Sequence, residues 1–305
     1  MKSKIVSVIG AGKWGTALHF AIKQQQECFI SSHKEKKIED FISLEKAFKS
    51  SYIIMAISAQ HTHQFLKENF QYSGQKILVA SKGIDANNYK FLEEIYLNYI
   101  PKENLGFLSG PSFASEVMQS LPSALVINSS SKDFFYQFKP FFPSYLKMYY
   151  SDDIIGAEIA GAYKNVLAIA SGIVSGLQLG YNAQASLISR GLIEMNRFGK
   201  HFGAKEETFL GLSGAGDLFL TASHNISRNF RVGLGLAEGK PLHRILQEIG
   251  EVAEGIETSK AIANIANQHN IYTPIVNEIY AILLGKSIHK SIEALFQEKD
   301  YSNHE

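Results

Sequence analysis

One stretch limits this chain more than any other. In residues 158–177, EIAGAYKNVLAIASGIVSGL, Lys164 is the one charged side chain from residue 159 to residue 189. Ile159, Val166, Leu167, Ile169, Ile173 and Val174 surround it, and Gly161, Asn165, Ala168 and Gly172 recur at four-three-four spacing. Apolar residues on nearly every side predict a helix buried all round, and the small stripe lets another backbone come close. An unpaired ammonium there costs several kcal/mol or gives up its proton. Lys164 is therefore neutralised by a nearby carboxylate or held for proton transfer, unless only its stem is buried and its tip reaches water at a helix end.

A length of 305 residues suggests about two domains. Net charge is +1 with both signs mixed along the chain, so no basic field argues for nucleic acid or an anionic membrane. The single cysteine, Cys28, excludes an internal disulfide and any Cys-x-x-Cys site, and fits a reducing compartment. The opening MKSKIVSVIGAG has an apolar run of only 5–9 before its glycines, too short for a signal core and better read as a strand. Ser171, Gly172, Ser175, Gly176 and Gln178 break the run after Lys164, which falls short of the ~20 apolar residues of a span, so no membrane span is expected. His61-x-His63 has no Cys, Asp or Glu nearby in sequence, and no metal site is expected.

The first half alternates strand and helix. Residues 5–9 read as a buried parallel strand, followed by Gly10-Ala11-Gly12-Lys13-Trp14-Gly15, a helix over 16–23 and a strand over 27–31. That is the context a G-x-G-x-x-G dinucleotide fingerprint requires. Gly10 permits the tight turn, Gly12 lets a pyrophosphate approach the backbone, and Gly15 lets helix pack on strand. The second strand runs into Ser31-Ser32-His33-Lys34, with Glu35 the first acid. A cationic end there favours NADP, with NAD as the alternative, although 34–37 also reads as a solvated helix face. Further strands are predicted at 52–57, 76–80, 106–109, 124–128 and 145–150, with a helix over 60–70. Lys82 and the Gly110-Pro111-Ser112 turn follow strand ends, where open parallel sheets bind ligands; an ordinary loop lysine is the plainer reading of Lys82.

After about residue 151 the strand signals stop and helical segments take over. The expected class is α/β: an N-terminal Rossmann-type, doubly wound, mostly parallel sheet over 1–152, then an all-helical domain over 153–305. The helical half carries Gly211-Leu212-Ser213-Gly214-Ala215-Gly216-Asp217-Leu218, then Thr221; Asp217 is a candidate carboxylate for Lys164. Ser227-Arg228-Asn229 precedes a helix over 230–237 and suits a phosphate cradle, or else an N-cap beside a surface arginine. Residues 252–258, VAEGIET, look like a turn into a helix, and the apolar stretch 271–284 forms either core or the face of a homodimer.

Taken together, these motifs resemble the bacterial NAD(P)-dependent glycerol-3-phosphate dehydrogenases. The matches are GAGKWGTAL at Gly10, SKG at Ser81, SGPSFA at Ser109, GAYKNV at Gly161, RGLIEM at Arg190, GxGDL at Gly214, SRN at Ser227 and VAEG at Val252. They fall in family order and cover nearly the whole chain. The resemblance implies interconversion of dihydroxyacetone phosphate and sn-glycerol 3-phosphate with NADPH or NADH, in the cytoplasm, feeding phospholipid synthesis. It implies Lys164 as general acid–base with Asp217 beside it, and substrate contacts from Lys82, Gly110, Ser112, Ser227, Arg228 and Asn229. It implies cofactor contacts at Lys13, Trp14, His33, Lys82, Ala114, Arg228, Val252 and Glu254, besides the glycine turn. Three positions depart from the family pattern: Lys13 stands where serine is common, Ala215 replaces a leucine, and 38–47 is a shortened stretch that loses part of the adenine-side wall. A β-hydroxyacid or opine-type dehydrogenase shares such a first domain, and an NADP-sensing protein shares its fingerprint; the SRN cluster argues against the former, and a lysine opposite a carboxylate against the latter.

Overall fold

The computed structural model describes residues 5–297. The chain divides into two compact units, one running up to residue 85 and over 90–158, the other made of 86–89 and the chain from 159 onward.

The first unit is built on a sheet of β1 (Val6–Ile9), β2 (Cys28–Ser31), β3 (Tyr52–Met55), β4 (Lys76–Val79), β5 (Leu105–Ser109), β6 (Ser123–Asn128) and β7 (Leu146–Ser151). Their spatial order is β2-β1-β3-β4-β5-β6-β7. The first five run parallel, β6 is antiparallel to β5, and β7 is parallel to β6, so the sheet is mostly parallel as expected. Its helices are α1 (Lys13–Lys23), α2 (Leu44–Ala47), α3 (Ala59–Asn69), α4 (Leu92–Tyr96), α5 (Ala114–Val117) and α6 (Lys132–Phe138). YIIM is apolar throughout, and VSVI is apolar except for the buried Ser7, which bonds Ser50, because both faces are covered. Val8, Ile54 and Leu78 pack with Leu18 of α1 and Phe138 of α6; Ile53, Met55 and Val79 pack with Leu66 of α3 and Tyr96 of α4.

The chain passes from β1 out to β2, then back across to β3 on the other side of β1. That reversal leaves a crevice at the carboxyl ends of β1 and β3, where open sheets of this kind take ligands. Two local readings shift. Helix α1 starts at Lys13 rather than at 16, because Gly12 itself is the N-cap and the turn passes straight into the helix. Residues 34–37 form no helix: Ile42 N–H returns to Ile30 O at 2.9 Å and Phe41 bridges Ile30, so the connection is a short closed loop.

The helices that follow are α7 (Ile154–Gly176), which starts in the first unit, then α8 (Tyr181–His201), α9 (Glu206–Leu210), α10 (Asp217–Ala222), α11 (Arg228–Ala237), α12 (Leu242–Ile249), α13 (Glu254–Gln268), α14 (Pro274–Leu283) and α15 (Ile288–Gln297). The small stripe on α7 does what its spacing predicts. A Cβ on Gly172 would stand 2.1 Å from Phe230 O, and one on Gly233 would stand 2.0 Å from Ile169 O, so the backbones of α7 and α11 touch. Glu194 of α8, 2% exposed, accepts the N–H groups of Ile275 and Val276 at 2.8 and 3.0 Å. Those first-turn amides of α14 have no partner inside their own helix, so the carboxylate caps it from outside. Ile275, Val276, Ile279 and Ile282 are buried, which makes most of the apolar stretch core.

Two outcomes follow for stability. Gly172→Ala is expected to cost about 1–3 kcal/mol by overpacking, read as a lower urea midpoint at unchanged slope. Glu158, in the first unit, accepts Glu93 N–H at 3.0 Å. Burial pushes its carboxyl well above the ordinary range, with the backbone N–H bonds from Glu93 and Leu92 pulling the other way. Once pH rises past the unfolded value, about 4.3, the native state holds a proton that the unfolded chain has lost, so this group lowers stability as pH rises. Glu158→Gln removes that dependence. The variant-minus-parent difference in Tm should therefore be flat in acid and grow as pH climbs above about 4.

Candidate active site

In the first unit the glycine turn has the form its sequence predicts. Gly10 sits at φ +114° and its amide donates to Ser31 O at 2.8 Å, tying the end of β1 to the end of β2. A Cβ on Gly10 would lie 2.3 Å from Ala56 O, and one on Gly15 would lie 1.8 Å from Gly10 O. A Cβ on Gly12 would meet nothing within 4 Å. So two glycines are forced by contacts inside the fold, while the third leaves the backbone open, as a pyrophosphate over the start of α1 needs. Trp14 is fixed by its indole N–H, which donates to Ala80 O at 3.1 Å. His33 is exposed on the loop after β2, and Ala114 opens α5.

Lys82, Gly110 and Ser112 come together at the ends of β4 and β5. Lys82 Nζ donates to Gly110 O at 3.1 Å and to Ser112 Oγ at 3.4 Å, and Ser112 Oγ donates to Gly110 O at 3.1 Å. Gly110 has φ +104°, and a Cβ there would press on Ala124 O at 3.0 Å. Beside them Ser81 Oγ donates to Ile57 O, which holds the β4 end against the β3 end.

In the second unit Lys164 lies mid-helix on α7, 8% exposed, and Asp217 is 1% exposed. Lys164 Nζ donates to Asp217 Oδ1 at 2.6 Å and to Thr221 Oγ1 at 3.2 Å. Of the readings open to Lys164, the paired and buried one holds. Asp217 opens α10 directly after a widened π turn, Leu212–Gly216. That turn packs so closely that a Cβ on Gly214 would stand 2.1 Å from Phe209 O. Thr221, one helical turn on, donates its hydroxyl to Asp217 O at 2.7 Å and offers its lone pair to the ammonium.

The Ser227-Arg228-Asn229 cluster divides its labour. Ser227 is the N-cap of α11, its Oγ accepting Phe230 N–H at 3.3 Å. Asn229 donates to Asn165 Oδ1 at 3.0 Å and accepts Gly255 N–H at 3.0 Å, linking α7, α11 and the first turn of α13. Arg228 reaches outward and pairs with Glu251 at 3.2 Å. Val252 is exposed just before α13, and Glu254 is that helix's first residue.

Two family profiles match the chain. The NAD-dependent glycerol-3-phosphate dehydrogenase N-terminus covers residues 35–135, and the corresponding C-terminus covers 153–293. A Campylobacter jejuni protein named glycerol-3-phosphate dehydrogenase (NAD(P)+) is 57% identical over 295 residues, 97% of this chain and 99% of that one. The chain belongs to the NAD-dependent glycerol-3-phosphate dehydrogenase family. A Sulfurimonas denitrificans protein of the same name is 57% identical over 287 residues, covering 94% of this chain and 97% of its own. The crystal structure of glycerol-3-phosphate dehydrogenase from Coxiella burnetii superposes with a TM-score of 0.89 at 29% identity, covering 97% of this chain and 99% of that chain.

For this member of the glycerol-3-phosphate dehydrogenase family, two residues assigned no site role from sequence are brought to the site by the geometry. Thr221 was legible as the position four after Asp217, on the same helical face. Asn165 follows Lys164 directly, and only its bond from Asn229 on α11, which in turn accepts Gly255 N–H of α13, gives it a role. Thr221→Val keeps the shape and removes an acceptor from a buried ammonium. It is expected to cost about 1–3 kcal/mol, checked by chemical denaturation of the substrate-free protein.

Proposed function

We propose that this chain interconverts dihydroxyacetone phosphate and sn-glycerol 3-phosphate, with NADPH as the preferred cofactor and NADH as the alternative. Family membership supports the reaction, and the observation that carries the mechanism is the buried Lys164 ammonium held 2.6 Å from Asp217. The open backbone at Gly12, the turn made by Gly10 and Gly15, Lys13, Trp14, His33, Lys82, Ala114, Arg228, Val252 and Glu254 are the residues proposed to hold the cofactor. A bound nicotinamide supplies the hydride for C2 of the ketone.

The protein's own part is to bind, orient and move a proton. Lys164 donates a proton to the oxygen on C2 as negative charge develops there, and takes it back in the reverse direction. Asp217 and Thr221 fix the ammonium's direction, so little reorganisation is needed when the alkoxide forms. Arg228, with the Ser227-capped start of α11 and Asn229, is proposed to anchor the phosphate, and Lys82, Gly110 and Ser112 to line the substrate's path. Phosphate binding then positions the carbonyl carbon. Among the described residues no helix is long and apolar enough to cross a membrane. From the family resemblance, the enzyme is proposed to act in the cytoplasm and to supply glycerol 3-phosphate for phospholipid synthesis. A homodimer is proposed at the end of the apolar stretch 271–284, where Leu284 is exposed.

The purified protein should oxidise NADPH with dihydroxyacetone phosphate and do so far more slowly with a panel of 2-keto acids; the opposite ranking would overturn the assignment. Lys164→Met is expected to lower kcat by about 10²- to 10⁴-fold while NADPH binding changes little. A fully active Lys164→Met enzyme removes the proposed role. Arg228→Ala should raise KM for the phosphorylated ketone by about 10- to 100-fold, the worth of one charge-assisted contact. Equal losses toward a non-phosphorylated ketone would contradict the anchor.

A further inference from the structure

The loop after β2 carries His33, Lys34, Lys36 and Lys37 together with Glu35, Glu39 and Asp40. Its base is closed three times: Ile30 N–H donates to Asp40 O at 3.1 Å, Ile42 N–H to Ile30 O at 2.9 Å, and Ser31 Oγ to Ile42 O at 2.8 Å. Two of its carboxylates are committed elsewhere. Lys23 Nζ holds Glu39 at 2.8 Å and Asp40 at 2.7 Å, with His19 Nε2 3.5 Å from Asp40. Lys23 ends α1, about 15 Å along the helix from the glycine turn at 1.5 Å per residue. Those acids are drawn away from the end of β2, where an NAD site keeps a carboxylate for the ribose 2′-hydroxyl. Ser32, the nearest short polar side chain, is also occupied, its Oγ donating to Lys34 O at 2.6 Å.

Lys36 goes the other way. Its Nζ donates at 2.6 Å to the carbonyl of Ala11, the middle residue of the glycine turn. That places a cation beside the crevice formed by the ends of β1 and β2, with the loop's acids Glu39 and Asp40 tied back toward the far end of α1. We infer that Lys36 is a specificity-determining residue that engages the 2′-phosphate of an NADP-type cofactor, exchanging the Ala11 carbonyl for phosphate oxygens. This rests on the reading of the glycine turn as a dinucleotide site. An ammonium is a compact charge on a flexible stem, suited to a phosphate and of little use to a ribose hydroxyl.

The test is calorimetric titration of the substrate-free protein with NADP⁺, NAD⁺, 2′,5′-ADP and 5′-AMP. The parent should bind NADP⁺ more tightly than NAD⁺, and 2′,5′-ADP more tightly than 5′-AMP. Lys36→Ala should weaken both 2′-phosphorylated ligands by about 10- to 100-fold and leave NAD⁺ and 5′-AMP nearly unchanged. Lys36→Arg should restore the preference, which a merely structural brace on the turn would not require. Equal weakening of all four ligands in Lys36→Ala, or unchanged NADP⁺ binding, would overturn the inference and leave the dinucleotide site standing. So would a parent that prefers NAD⁺. A parent that binds none of the four would remove the dinucleotide reading and this inference together.

Discussion

Much of the helical unit answers to one demand, a lysine ammonium kept out of water in the middle of a helix. Taking a charge from water into a protein costs several kcal/mol per ion, and attraction to a partner repays this only when geometry is good and the remaining polar atoms are satisfied. Lys164 meets those terms through a 2.6 Å contact to Asp217 and a second acceptor in Thr221. The carboxylate must also be delivered to a fixed point. The π turn at Leu212–Gly216 delivers it, with Gly214 pressed against the Phe209 backbone so that Asp217 begins α10 facing Lys164. Irregular turns of this kind are uncommon and concentrate where a side chain has to be aimed.

Keeping that site dry requires close packing around α7, and the packing is done by absence of side chains. Gly172 and Gly233 let α7 and α11 meet backbone to backbone, and Gly255 brings the start of α13 against Asn165 O and Asn229 Oδ1. The helices that approach this closely are then cross-linked by amides, Asn165 to Asn229 and Asn229 to the Gly255 N–H. The same asparagine that resembles a phosphate ligand in sequence is thus also a structural bolt. Changing it would move α13 as well as any ligand, so substitution there cannot separate binding from folding, whereas Arg228 on the outside can.

How much of this was legible in the sequence follows from the range of the interaction. A strand, a glycine turn and a helix are local, so VSVIGAG followed by KWG was legible as that sequence of elements, though not the helix start at Lys13 or the Ala56 carbonyl that presses on Gly10 from forty-six positions away. The small stripe on α7 was legible as a close-approach surface because its spacing is helical, although the partner, α11, was not. The Lys164–Asp217 pair was legible as a need, since a lone charge in an apolar helix must find an opposite charge. Its third member, Thr221, was written in the four-residue spacing but carries no chemistry of its own to draw notice. Nothing local marks Glu251 as the partner of Arg228, twenty-three positions away, or Ala11 O as the acceptor for Lys36, twenty-five away. The antiparallel β6 was hidden for the same reason, because strand direction is set by the connections and not by the strand's own residues.

The two units solve their recognition problems with different parts of the chain, and this explains which departures from the family pattern are tolerable. At the glycine turn the groups proposed to face a phosphate are backbone N–H donors and the gap where Gly12 has no side chain. A lysine at position 13 in place of serine changes a side chain there without touching the backbone geometry, and α1 still begins at that residue. Lys164 has no such latitude. Its proposed role resides in a side-chain atom, held by one carboxylate and one hydroxyl and 8% exposed. A backbone site survives substitution of its side chains, and a side-chain site survives only substitutions outside its packing shell. Ala215 illustrates the boundary. It stands within the π turn between Gly214 and Gly216, and the turn keeps its form because the tight contact is made by Gly214 and not by the residue after it.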